Sequence, residues 1–218
     1  MKNKLGFVLF LMLLSGWISE IRAVNVDGYI VTAKSDTVYG VIQLSIFDQA
    51  ASGIKLRGAF DQVTLSTKVF FKKKTDRSFK SYTPEDIAGF GFNYRTETFT
   101  FRQMEVPKYS MFQRESKKKL FLCLVYEGYI DLYKYSGLYE NMTTNSDQSK
   151  FKGYTDFYLY NPQTGLVKVE QTDKVRTVQA LLQPFNLDEK FAREIPVDIN
   201  FRDITKVLSL YDKWLIAK

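Results

Sequence analysis

Between Phe79 and Met104 the chain reads FKSYTPEDIAGFGFNYRTETFTFRQM, and its second half alternates large apolar residues with polar or small ones. Phe90, Phe92 and Tyr94 are spaced by two, as are Phe99 and Phe101, the period of a strand with one buried face. Folded back on itself, the segment sets Phe90 opposite Phe101 and Phe92 opposite Phe99, with all four rings on one side. Each such aromatic pair stabilises a sheet by up to about 1 kcal/mol. The pattern predicts a four-residue loop at Tyr94–Glu97. A two-residue turn is disfavoured, because Arg95-Thr96 lacks the Asn or Gly that positive φ favours.

The same period recurs on either side. Gly28–Ile42 predicts a hairpin turning near Ser35-Asp36. Residues 43–68 are mixed and predict only short strands and turns, and Val69–Lys72 predicts another short strand. Thr83-Pro84-Glu85-Asp86-Ile87 has the make-up of a capped helical turn or tight turn, stopped by Gly89. Leu120–Tyr135 predicts a hairpin turning at Glu127-Gly128, with Val125 opposite Ile130 and Cys123 opposite Leu132. Its first arm is apolar throughout, as in a strand covered on both faces, although a short helix is an open alternative. The polar stretch 136–153 predicts a long exposed loop. Tyr154–Tyr160 and Leu166–Glu170 flank Asn-Pro-Gln-Thr-Gly, a turn signal that makes them a further hairpin.

Near residue 172 the period changes. Val175, Val178, Leu181, Leu182 and Phe185 follow helical spacing to about Pro184. A second short helix is predicted in Leu187–Ile195, opened by Asp188. A last amphipathic helix carries Ile204, Val207, Leu208, Tyr211 and Leu215, with Asp203 near its start. Strands first and helices last is the α+β pattern: a largely antiparallel sheet of hairpins with a C-terminal helical segment packed on it.

Ahead of all this, Met1-Lys2-Asn3-Lys4 precedes an apolar run from Leu5 to Ile18 and a small residue at Ala23. These are the parts of a secretory signal peptide cleaved near Ala23. The run falls short of the roughly 20 residues a membrane span needs, and no later stretch is a better candidate, so no transmembrane span is expected in the mature chain. The expected organisation is a signal peptide over residues 1–23 and one α+β domain over 24–218, β-rich to 171 and helical from 172. Export implies the periplasm, the outer envelope or the extracellular space. Removing the leader lowers the net charge from +7 to about +5, enough for weak attraction to anionic surfaces. That bias and the exported address disfavour nucleic acid.

Two residue counts narrow the chemistry further. Cys123 is the single cysteine, so no intrachain disulfide forms, and its apolar neighbours predict a buried thiol. Histidine is absent altogether. Histidine-dependent nucleophilic catalysis and imidazole-bound zinc or copper are therefore excluded. Carboxylate catalysis, lysine or tyrosine bases and oxygen-bound calcium remain chemically open. The order of the pieces (GYIVT-x3-DTVYGVI, a strand with FFK, YTPEDIAGFGF, LFLCLVYEGYIDLYKY and a tail with DITKVLSLYDK) resembles a group of exported proteins of Bacteroidota to which no activity is assigned. The resemblance implies a compartment and a single fold and transfers no catalytic residue.

Among the acids, Glu85-Asp86 are adjacent and suit the start of a turn, and Glu127 and Asp131 flank the second hairpin. Lys72-Lys73-Lys74 with Arg77 and Lys80, and Lys117-Lys118-Lys119, suit the blunting of sheet edges. Tyrosines crowd residues 126–160, and Tyr129, Tyr133 and Tyr135 are the candidate binding face, sharing a side with Asp131 if that segment is a strand. A tyrosine offers a flat apolar ring with a polar tip, suited to a glycan or an envelope protein. The expectation is an exported, non-enzymatic interaction or envelope-associated protein without cofactor, metal or catalytic residues. A carboxylate-based hydrolase of envelope or dietary glycans is the alternative.

Overall fold

The computed structural model describes residues 22–47, 59–108, 116–140, 151–169, 182–194 and 203–218. Their period-two segments form strands β1 (Arg22–Thr32), β2 (Thr37–Phe47), β3 (Ala59–Phe60), β4 (Val69–Lys72), β5 (Lys80–Tyr82), β6 (Ile87–Tyr94) and β7 (Glu97–Lys108). After these come β8 (Ser116–Tyr126), β9 (Asp131–Glu140), β10 (Phe151–Asn161) and β11 (Gly165–Val169). A short helix α1 (Gln62–Leu65) follows β3, and α2 (Glu189–Glu194) and α3 (Ile204–Ile216) close the chain. The strands form one antiparallel sheet in the order β11-β10-β9-β8-β7-β6-β1-β2-β4-β5, with β3 also on β2. The protein is therefore α+β, with helices packed on a sheet of hairpins.

The β6–β7 hairpin has the expected register, Phe90 opposite Phe101 and Phe92 opposite Phe99. Its rings share one face: Phe90 stacks on Phe101 at 4.6 Å and Phe92 on Phe99 at 5.4 Å. The loop differs from expectation. Pairing continues to Tyr94 and Glu97, leaving a two-residue turn with Arg95 at φ +57°. A left-handed non-glycine residue costs on the order of 1–3 kcal/mol. The aromatic ladder below the turn and the Arg95 guanidinium over the Tyr94 ring offset that cost.

The β1–β2 hairpin turns at the predicted place, and β4 has its predicted bounds. Thr83–Asp86 is a tight turn in which Asp86 accepts hydrogen bonds from the Thr83 amide and hydroxyl at 2.8 Å each. Gly89 does not stop it, because β6 has already begun at Ile87. The predicted β8–β9 register is also wrong. Cys123 lies opposite Lys134 and Leu124 opposite Tyr133, and a bulge beyond Leu124 sets Tyr126 opposite Leu132. The turn is thus longer than Glu127-Gly128. Nor is 136–153 all loop: β9 runs to Glu140 and pairs with β10 from Phe151, while residues 141–150 lie outside the described residues. The β10–β11 hairpin is as expected, its turn closed by Asn161 Oδ1 accepting from the Gln163 and Thr164 amides.

The helix expected around residues 175–185 lies outside the described residues as far as 181. Its end is a 3-10 turn, Gln183–Phe185, stopped by Asn186 in the left-handed conformation. Both remaining helices match expectation. Asp188 Oδ1 accepts from the Lys190 amide at the start of α2, and α3 buries Ile204, Val207, Leu208 and Tyr211.

One sheet face carries two cores. Ile42, Phe71, Phe90, Phe92, Phe101, Phe121 and Cys123 belong to the first. In the second, α2 and α3 pack on Ile130, Leu132 and Leu159. The opposite face holds Val106, Leu120, Leu122, Tyr133 and Tyr158. Strand β8 is thus covered on both sides from Leu120 to Cys123, as its apolar run predicted, while Val125 at the end of that run is exposed.

The α1 segment, which the sequence did not announce, explains how the first core closes. Phe60 sits beside β2, and its ring is 4.8 Å from Phe99 on β7. Six residues later the Ser66 carbonyl accepts from the Phe121 amide of β8 at 2.9 Å. In a flat sheet β3 and β8 would stand about 24 Å apart, at about 4.8 Å per strand. A segment containing a helical turn, at about 1.5 Å per residue, does not reach that far. The sheet must therefore roll, and α1 plugs the opening. Gln62 and Ser66 also engage β9 through Ser136, at 3.1 and 3.4 Å.

Candidate functional site

The β6 sequence Gly89-Phe90-Gly91-Phe92 sends phenylalanines to the core and leaves only hydrogen atoms on the other face. Across that vacated surface runs a groove of about 720 Å³, lined by Tyr29, Tyr39, Thr100, Arg102, Met104 and Tyr160 among others. β1 and β2 each contribute alternate residues, while β6 and β7 line the groove with continuous stretches, Ala88–Phe90 and Thr100–Met104. Tyr29 and Tyr39 are cross-strand partners on β1 and β2, and Thr100, Arg102 and Met104 follow one another along β7.

A polar network closes one end. Arg102 Nη1 donates to Asp131 Oδ2 at 3.2 Å and to the Tyr133 hydroxyl at 3.1 Å, and Nη2 donates to Glu127. Tyr133 in turn donates to Asp131 Oδ2 at 3.0 Å, and Asp131 Oδ1 accepts from the Gly128 amide at 3.1 Å. Asp131 and Tyr133 are buried and every polar contact is matched, so the network fixes the β8–β9 turn against β7. Burial, and then the Asp131 carboxylate, push the Tyr133 hydroxyl well above the usual phenol range.

From the other side the turn is held by α3. Asp212 accepts from the Tyr126 hydroxyl and, at 3.0 Å, from the Tyr129 amide. Burial first, then Asp212, push the Tyr126 hydroxyl up to about 12. A Cβ on Gly128 would stand 2.1 Å from Asp212 Oδ2 and 2.7 Å from Tyr126 Cε1, so a larger residue here would have to displace the carboxylate that holds the turn. Asp212 on the Tyr129 amide, and Asp131, itself held by Arg102, on the Gly128 amide, explain why the observed turn differs from the predicted one.

Of the three tyrosines singled out from the sequence, Tyr133 and Tyr135 share a face of β9 with Asp131 as expected, and Tyr129 does not join them. Tyr133 is fully buried and forms part of the groove floor. Tyr135 is half-buried on the same face, its ring 5.9 Å from that of Tyr154; burial, with Tyr154 next, pushes its hydroxyl up to about 12. Tyr129 belongs to the turn before β9 and packs on Tyr211 of α3, ring centroids 5.7 Å apart. Tyr29, Tyr39 and Arg102 were missed. The signal was present: the turn at Ser35-Asp36 already sets Tyr29 opposite Tyr39, and the Gly-Phe-Gly-Phe repeat vacates the surface between β1 and β7.

Elsewhere the charged residues pair locally. Lys119 meets Glu85 at 2.8 Å and Lys117 meets Glu105 at 3.7 Å, where β8 has parted from β9. Lys74 meets Asp27 at 3.5 Å, and Lys72 lies over the Phe79 ring next to edge strand β5. Among the described residues no cluster of three or more acidic or thiol side chains is arranged to hold a metal ion, and no helix is long and apolar enough to cross a membrane. Comparison with protein-family models, with curated proteins and with solved structures finds no match for this chain.

Proposed function

We propose that this is an exported, non-catalytic binding protein of the cell envelope, with the tyrosine-lined groove as its recognition surface. The observation that carries the reading is the engagement of the acids beside the groove. Glu127 and Asp131 both bind the one guanidinium of Arg102, and the other oxygen of Asp131 is taken by the Gly128 amide. A glycosidase uses one carboxyl as proton donor and a second as nucleophile or base, across a gap of about 5–10 Å that the substrate enters. Here the acids face a cation of their own chain and hold a turn. A surface that interleaves tyrosine rings with threonine and tyrosine hydroxyls suits holding a ligand in place. The leader supports export, and the resemblance to exported Bacteroidota proteins supports an envelope address.

Fractionation of cells making the full chain tests this. The protein is expected in the envelope fraction with an N-terminus at or near Val24, and incubation with envelope glycans is expected to release no new reducing ends. Recovery of an intact Met1 terminus would overturn export. Release of reducing ends that is abolished by Glu127→Gln would replace this reading with the carboxylate-based hydrolase.

A further inference from the structure

Strand side chains ordinarily stand off the sheet. Tyr29 does not. A Cβ placed on Gly91 would lie 2.6 Å from both Cζ and the hydroxyl oxygen of Tyr29, so this ring leans across β6 into the space a side chain would have filled. The same device recurs further along this face, where Tyr154 lies over Gly137. Beside Tyr29 stands Tyr39, 74% exposed, its ring centroid 6.1 Å away and inclined at 59°. The two rings form a corner, too close together for a third ring to slip between them, with room for one to lie against the pair.

The charge of the groove decides what kind of ring. Of its lining side chains only Arg102 is charged, and Glu127 and Asp131 already match it. No spare cation selects an acidic ligand, and a fully apolar ligand would leave Thr37 and Thr100 at the groove wall without partners. A neutral sugar meets both conditions. Its C–H face matches the electron-rich face of an aromatic ring, and its hydroxyls match threonine and tyrosine hydroxyls. We infer that the Tyr29–Tyr39 corner binds a neutral pyranose unit of a glycan. The inference rests on the reading of this protein as a binding protein and names its ligand class.

The test titrates the mature chain by calorimetry with cellohexaose, maltohexaose and mannohexaose as neutral probes and hexagalacturonate as an acidic one. At least one neutral probe is expected to bind, with an affinity unchanged between low and high salt. Tyr39→Ala and Tyr29→Ala are each expected to weaken that binding about tenfold, the loss of one ring contact. Tyr39→Ala removes an exposed ring, so an unchanged melting temperature identifies lost binding as a site effect. Binding of hexagalacturonate alone, or undiminished binding by both variants, overturns the inference. If none of the probes binds a protein that is processed and recovered from the envelope, the saccharide is wrong and the wider reading stands. Recovery as an unprocessed chain outside the envelope would overturn the wider reading itself.

Discussion

The carbonyl of Ser66 accepts the amide hydrogen of Phe121 at 2.9 Å, at the point where β9 would have paired with β8 had the sheet stayed continuous. A segment from the far edge of the rolled sheet thus completes the ladder of a central strand. The bond is buried with the first core, so the Phe121 amide should exchange with solvent only on global unfolding. Hydrogen exchange checks this, and exchange as fast as that of turn amides would mean the plug opens by itself. Ser66→Ala removes a buried hydroxyl that contacts the Gln62 and Ser136 carbonyls, and should cost about 1–2 kcal/mol in a denaturant melt.

The aromatic ladder makes a second prediction. Phe92 is fully buried, so Phe92→Ala should cost about 3–5 kcal/mol. Phe99→Ala should cost less, because that ring keeps some contact with water. The double variant should fall short of the sum, since the rings share one contact. Thr100 faces the groove, and Thr100→Ala should change stability by under about 0.5 kcal/mol. A Thr100→Ala variant as damaged as Phe92→Ala would reverse the two faces of β7.

How far the fold can be read from the chain depends on where each register is decided. The β6–β7, β1–β2 and β10–β11 hairpins were legible because their pairing follows from local alternation and a nearby turn. The β8–β9 turn was not, because Asp212 on α3, far away in sequence, and Arg102 on β7 decide it. Residues 136–140 and 151–153 read as loop because their composition is polar, and pairing between neighbours outweighed that composition. The candidate site failed differently. Tyr129, Tyr133 and Tyr135 are close in sequence, but Tyr133 is buried in the Asp131 network and Tyr129, still 41% exposed, leans on Tyr211 away from the other two. Tyr29 and Tyr39 form their corner only because Gly91, on a third strand, makes room.

Arg102 should be worth more to stability than its partial exposure suggests. Arg102→Met keeps most of the stem but leaves the buried Asp131 carboxylate facing Tyr133 without its cation. An unpaired buried charge costs several kcal/mol, and the half-exposed guanidinium reduces this to about 1–3 kcal/mol. Adding Asp131→Asn should recover part of the loss. Melts of the single and double variants check it, and equal stability of the two would show that the charge was screened all along.

Alkaline stability should be set in part by Tyr126 and Tyr135, both with hydroxyls pushed up to about 12. The folded state holds these protons more tightly than the unfolded chain, whose tyrosines titrate at about 10. Their contribution is therefore complete below about pH 10 and is lost as the pH rises through about 12. The melting temperature should fall across that window, and the fall should be shallower in a Tyr126→Phe, Tyr135→Phe protein. An identical slope in the double variant would assign the alkaline limb to other groups.

Cys123 reports on the same junction as Ser66. Its side chain is 4% exposed and faces the phenylalanine core, two residues along β8 from Phe121. Burial raises its thiol, with Lys134 across the strand pulling the other way, so the reactive thiolate is scarce as well as hidden. A thiol reagent should therefore label the native protein only through opening. If β8, β9 and the Ser66 plug separate only on global unfolding, the labelling rate should rise with denaturant as steeply as the unfolding equilibrium does. A shallow dependence would mean the plug opens locally, and Ser66→Ala should then speed labelling more than it lowers global stability. Rapid labelling without denaturant would put Cys123 on the surface and overturn the β8 register on which the first core depends.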